Sequence, residues 1–263
     1  MAVIGSNYGD KTEMTSQQLV DTGLVTHVER GVFSSGQWLS YFEGNQNSKA
    51  GLKLPEQIAL ANSVRLPIIR SLQRFQLGEK GQGLHLKKYA ATTNDPVYQQ
   101  CVDYFIAEEN GHSAILAQML QALDAKVITG HWSNQAFISL RRLLGLKTEI
   151  FILLVAEIVG KCFYKTCADH LDNRAMKDTF TAIVMDEIFH LEFNCTFMRK
   201  QTQDYGPIAR KTIYWAWYAL FFVASMVFIV DHRAALKALN VAPSAFWKDC
   251  AGTFDHAAVK ALL

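Results

Sequence analysis

From Pro55 onward, apolar positions recur with the period of a helix, not a strand. The pattern predicts five long helices at roughly 56–91, 95–125, 134–170, 173–203 and 207–239, with a short tail helix near 244–250. Pro96, Pro207 and Pro243 each fall where a helix should begin, because proline is tolerated in the first turn. No alternating pattern bounded by turns suggests a strand. The expected fold class is therefore all-α. Residues 1–54 differ in texture: Gly, Ser and Asn recur as in loops, so a loosely structured arm is expected, with short helices near 17–24 and 37–42. The chain thus divides into an arm (1–54), a helical bundle (55–205) and a C-terminal hydrophobic helix with its tail helix packed on the bundle (206–263).

Four of the helices carry a stripe at 4-3-4-3 spacing, the face that a bundle buries. The first runs Ile68, Leu72, Phe75, Glu79, Gln82, Leu86, and the second Tyr98, Val102, Phe105, Glu109, His112, Leu116, Met119, Leu123. The third runs Leu143, Leu146, Ile150, Leu153, Glu157, Gly160, Tyr164, and the fourth Met176, Phe180, Ile183, Glu187, His190, Asn194, Phe197. Each stripe is apolar at its ends and acidic in its middle. An unpartnered buried carboxylate costs several kcal/mol, so a partner must offset it. Four glutamates and two histidines occupy corresponding positions: Glu79, Glu109, His112, Glu157, Glu187 and His190. Glu79 precedes Glu109, and Glu157 precedes Glu187, by the same interval of 30 residues. Glu109 and Glu187 each open a Glu-x-x-His, which places acid and imidazole on one helix face. Composition alone predicts about 0.3 such motifs, and two occur. Carboxylate and imidazole without thiolate suit iron or manganese better than structural zinc. Buried ion pairs without a metal are the competing reading.

At these residues the chain resembles the ferritin-like di-iron carboxylate superfamily, in which two helices give a glutamate each and two give a Glu-x-x-His each. The strings Glu108-Glu109-Asn110-Gly111-His112 and Asp186-Glu187-Ile188-Phe189-His190 are similar to those of the soluble acyl-carrier-protein desaturases. The resemblance implies a ferritin-like four-helix bundle holding two iron ions, with mixed manganese–iron or dimanganese centres as variants. It also implies dioxygen as co-substrate and an oxidoreductase that hydroxylates, desaturates or N-oxygenates a small organic molecule, such as a hydrophobic one. Glu79 and Glu157 would be terminal or bridging ligands, Glu109 and Glu187 the bridges, and His112 and His190 would hold one ion each. The acids Glu108 and Asp186 could accept the second N–H of a ligand histidine, in one reading each from the opposite helix, with a merely solvent-exposed Glu108 as the alternative. No iron–sulfur or nucleotide-binding motif is present, so electrons would come from an external donor such as a ferredoxin or reductase. Iron oxidation and storage, or a structural bundle without enzymatic activity, are the alternatives.

Composition narrows the partners. A formal net charge of +2 excludes a strongly basic nucleic-acid binder as the default. The five cysteines are scattered and odd in number, which fits reduced thiols in a cytoplasm and no disulfide framework. The first residues lack a basic start followed by an apolar run, so no secretory signal is expected. Gly78, Gly81, Gly83, Gly111 and Gly160 cluster about the acids, either leaving space or allowing close helix packing. Tyr104 and Tyr164 could lie near the metals. Residues 213–230 form an 18-residue stretch without a charge, at the lower edge for a membrane span. Burial against the bundle or a second copy is the favoured expectation for this stretch, with docking on a membrane surface as the alternative.

Overall fold

The computed structural model describes residues 33–46, 54–81, 83–142 and 146–262. Gln82, Leu143, the Leu146 side chain and the helix expected near 17–24 lie outside them. Among the described residues 82% are helical and none is in a strand, so the chain is all-α. The helices are α1 (Ser35–Asn45), α2 (Asn62–Glu79), α3 (Leu84–Ala91), α4 (Pro96–Ala122), α5 (Trp132–Arg142), α6 (Leu146–His170), α7 (Arg174–Thr202), α8 (Pro207–Asp231), α9 (Arg233–Ala238) and α10 (Pro243–Leu262).

The long helices start where local chemistry places them. Asp95 caps α4, accepting from the N–H of Val97 and Tyr98 at 3.1 and 3.0 Å ahead of Pro96. Asn173 caps α7 by accepting from Met176 N at 3.1 Å. Such caps satisfy N–H groups that a helix leaves orphaned, contributing about 1 kcal/mol each. α2 pairs with α4, and α6 with α7, burying their stripes against one another. Ile68, Leu72, Leu116, Met119, Ile150, Met176, Phe180 and Ile183 are all fully buried. Each such side chain contributes about 1.5–3 kcal/mol through removal from water.

Four expectations need correction. The single helix at 56–91 is two, because the backbone turns at Gly83, whose φ of +58° is left-handed. A Cβ there would also collide with the Ile106 side chain, so the position favours glycine on two counts. Asn110 pins the same break, donating through Nδ2 to Gly81 O at 2.8 Å and accepting from Gly81 N at 3.3 Å. The helix at 207–239 divides at His232, which stacks on Phe228 with ring centroids 4.0 Å apart and bonds Ser71 Oγ at 2.9 Å. The tail helix extends well past 250, because Phe246, Cys250, Phe254, Ala257 and Ala261 continue its buried stripe. Finally, residues 33–46 of the arm are part of the core. α1 is closed by a capping box between Ser34 and Gln37 and buries Trp38 and Phe42 against Phe193 of α7.

α8 packs on α6 and α10 along one side only. Trp217 and Phe221 are buried there, with Trp217 Nε1 donating to Phe151 O at 3.0 Å and Phe221 stacked on Phe254. Its other side stands in solvent, and only 17% of its most apolar window is buried. Burial of 213–230 is thus one-sided within the chain: a helix with no polar face offers no periodic sign of which side will pack.

Candidate metal centre

The four stripes bring their acidic middles into one layer. Glu109, His112, Glu187 and His190 each offer a ligand atom, and these atoms all lie within 4.8 Å of one another. This buried cluster could hold a metal ion. His112 Nδ1 lies 3.2 Å from Glu187 Oε1 and 3.8 Å from Glu109 Oε1. His190 Nδ1 lies 2.8 Å from Glu109 Oε1, 3.7 Å from Glu157 Oε2 and 3.9 Å from Glu187 Oε2. Both imidazoles are fully buried, and Glu109 and Glu187 each stand between them. Glu157, mid-way along α6, faces His190. Glu79, the last residue of α2, lies beside Glu109 and accepts a hydrogen bond from the Tyr164 hydroxyl.

The opposite edge of each ring is held across the bundle. His112 Nε2 is 2.8 Å from Asp186 Oδ2 on α7, and His190 Nε2 is 2.8 Å from Glu108 Oε2 on α4. The acid preceding each motif therefore meets the histidine of the opposite helix. An ionised carboxylate only accepts, so these contacts assign the N–H to Nε2 and orient Nδ1 toward the inner acids. A further residue, one that sequence reasoning missed, joins the two pairs. Asn45 at the end of α1 donates through Nδ2 to Glu108 Oε1 at 2.6 Å and to Asp186 Oδ1 at 3.1 Å. Its separation from these partners, 63 and 141 residues, left no local pattern to find it by.

The protein groups alone do not balance this layer. Burial, then the charge of Glu109, raises Glu79 well above the ordinary carboxylate value. Burial, then Glu157 and Glu109, does the same to Glu187. Burial also opposes ionisation of Glu109, yet His190 and His112 outweigh it and hold that carboxyl down at about 2. Burial disfavours the imidazolium of His190, but Glu108, Glu109 and Glu157 together raise it well above its usual value. Burial and the charge of Glu79 keep the Tyr164 phenol protonated as a donor. Glu109 Oε1, Glu157 Oε2 and His190 Nδ1 are buried without a well-formed hydrogen bond. Buried polar atoms are normally satisfied, so the two carboxylate oxygens are suited to receive a cation directly, and His190 Nδ1 on loss of its proton.

Against this geometry, no family model, curated protein or solved structure matches the chain.

The remaining sequence candidates separate. Tyr164 reaches the layer, whereas Tyr104 is only half-buried against the core and, among the described residues, no hydrogen bond links it to the acids. Gly160 sits 3.8 Å from Phe75 and Tyr164, an ordinary packing distance, and a side chain at Gly78 or Gly111 would meet nothing. Gln76, one turn before Glu79, ties α2 to α4 by donating to Ser113 Oγ at 3.0 Å. All five cysteines are buried and unbridged.

Proposed function

We propose that the chain is a ferritin-like di-iron oxidoreductase that uses dioxygen to oxidise an organic substrate. The observation that carries this reading is the pair of buried Nδ1 atoms turned toward inner carboxylates, each ring fixed from behind by an acid of the opposite helix. The donor set fits iron: four glutamates and two imidazoles, hard and borderline ligands with no thiolate. Charge supports two ions. Four inner carboxylates are balanced by two divalent cations, whereas the protein alone keeps Glu79 and Glu187 protonated far above the usual range.

In this reading Glu79, Glu109, His112, Glu157, Glu187 and His190 would together hold the two ions, with Glu109 and Glu187 each lying between both imidazoles. Two ferrous ions would supply the electrons that reduce dioxygen to an oxidant able to hydroxylate, desaturate or N-oxygenate. The chain's own part is positional. Asp186 and Glu108 hold the rings, Asn45 holds both acids, and Phe105, edge-on to His190 at 4.7 Å, helps keep water from the layer. Tyr164 holds a proton at its hydroxyl against Glu79, on the side where α2 ends.

The test is anaerobic loading with ferrous iron, then exposure to oxygen with optical recording and a screen of small organic substrates with an external reductant. An oxygen-dependent charge-transfer band and an oxygenated or desaturated product are expected. Iron uptake without any spectral change on oxygenation would refute the reading. A large hollow assembly on size exclusion, filling with ferric iron, would transfer it to iron storage.

A further inference from the structure

The carboxylate layer makes no use of the outer side of α8 or of the cleft at its C-terminal end. Between Lys211 and Asp231 this helix has no charged residue. Its 25 residues span about 37 Å at the helical rise. Ile208, Trp215, Phe222, Val223, Val227 and Val230 are exposed along it, Val223 by 58% and Val230 by 66%. A contiguous apolar face of this extent marks an interaction surface. The preceding α7 and the following α10 pack on each other, so α8 lies along the flank of one body and does not leave it at either end.

The cleft supplies charge. It encloses about 610 Å³ and is lined by Arg70, Arg74, Arg233, Trp132, Val227 and Val230, among others. Arg74 is already engaged, its Nη1 lying 3.3 Å from Asp231 Oδ1 and donating to Asp231 O at 2.7 Å. His232 beside it is pushed down to about 3, by burial and then by Arg74 and His131, and so adds no charge at neutral pH. Asp231 cancels Arg74, and the exposed Arg70 and Arg233 leave the cleft cationic. Trp132, 58% exposed, stands with them. At the other end of α8, Lys211 is followed by Tyr214, Trp215 and Tyr218. Aromatic rings beside basic residues at both ends of an apolar face are the composition of a membrane interface.

We propose that this face docks the protein on a bilayer surface bearing anionic phospholipids, with the outer side of α8 entering the acyl boundary and Arg70 and Arg233 receiving headgroup phosphate. A second copy laid on the same face would supply an apolar partner, but its acid on α8 is held by Arg74 and its exposed Asp255 lies beside Lys211 at the other end of the helix. An anionic bilayer supplies an apolar interior and headgroup phosphate together.

The test is co-sedimentation of the full chain with vesicles of phosphatidylcholine mixed with phosphatidylglycerol, and with vesicles of phosphatidylcholine alone. Sedimentation velocity of the protein without lipid runs beside it. A monomer that binds the mixed vesicles is expected. Arg70→Gln with Arg233→Gln should weaken binding about 25-fold, roughly fivefold per arginine. Val223→Asp, at an exposed position that leaves helical circular dichroism unchanged, should weaken it by at least about tenfold. The proposal is overturned by no binding to mixed vesicles, by equal binding to both kinds, or by indifference to Val223→Asp. A wild-type dimer that Val223→Asp converts to monomer also overturns it, giving the face to a second copy. Cobalt(II) uptake stays at the wild-type level in all these variants, because none alters the carboxylate layer.

Discussion

The two halves of the layer are copies in sequence and unequal in place. Glu79, Glu109 and His112 repeat in spacing as Glu157, Glu187 and His190. Yet Glu157 sits mid-helix with only 3% of its side chain exposed, while Glu79 is the last residue of α2 and only partly buried. Glu187 is likewise 3% exposed and Glu109 15%. The first half borders a break held by Gly83 and Asn110, and it takes a hydroxyl from Tyr164 across the bundle. The same ligand spacing thus serves an embedded half and an open one. Under the proposed reading, ligand exchange would occur at the more open half, where water could replace a carboxylate.

The strongest way to break this comparison is to remove equivalent acids. Glu157→Gln should weaken binding of one ion roughly 100-fold, and Glu79→Gln only about tenfold, since solvent can fill the place of the latter. Cobalt(II) titration followed optically measures both, and equal losses would show that the exposure difference is without effect. Next in size are the groups behind the rings. Asp186→Ala should cost about 10–100-fold in metal affinity. Asn45→Ala, whose amide touches both acids, should cost up to about tenfold and should lower both ion affinities together. Loss confined to one ion would separate the halves that Asn45 is held to join.

Protonation sharpens the same contrast. Glu79 and Glu187 are raised above the ordinary 4.5, so the chelator-treated protein keeps protons that the unfolded chain loses, and these groups turn destabilising as pH rises past that value. His190 is raised above 6.5, so its ion pairs stabilise below that pH and their contribution is lost as pH climbs through the folded value. Glu109, held at about 2, acts oppositely: its stabilisation is present above 4.5 and lost as pH falls toward 2. The chelated protein should therefore be most stable in mild acid. Metal binding should release protons, and the rise in Tm on loading should grow with pH. Calorimetric scans across pH with and without metal check this; a metal-induced rise in Tm independent of pH would contradict it. The smallest effect on metal binding is expected from Gly83→Ala at the break beside the open half. It should cost about 1–3 kcal/mol in denaturant unfolding, from the left-handed φ and the contact with Ile106, while weakening metal binding only slightly.

The layer was legible because its signals are local. Helical period placed Glu109 with His112 and Glu187 with His190 on common faces, and polar residues inside apolar stripes marked their depth. Asp186 and Glu108 were legible because each lies one position before a motif, but their pairing across the bundle, 74 and 82 residues away, rests on the chemistry of a ligand histidine and not on a local pattern. Asn45 was not, since a docking helix from a Gly- and Ser-rich arm is fixed by tertiary packing of Trp38 and Phe42 on Phe193. The break at Gly83 was visible only as scattered glycines; what makes it a break is the approach of Ile106 and Asn110 from another helix. The length of α10 was understated because three of its last four buried positions are alanines, which contribute little to a hydrophobic pattern.

The central claim is that six side chains on four helices form one site for two metal ions. Iron analysis after anaerobic ferrous loading and desalting tests it most directly, on the wild type and on a His112→Ala, His190→Ala double variant. The account predicts two ions per wild-type chain and none retained by the double variant. Fewer than one ion per wild-type chain, or equal retention by both proteins, would contradict it.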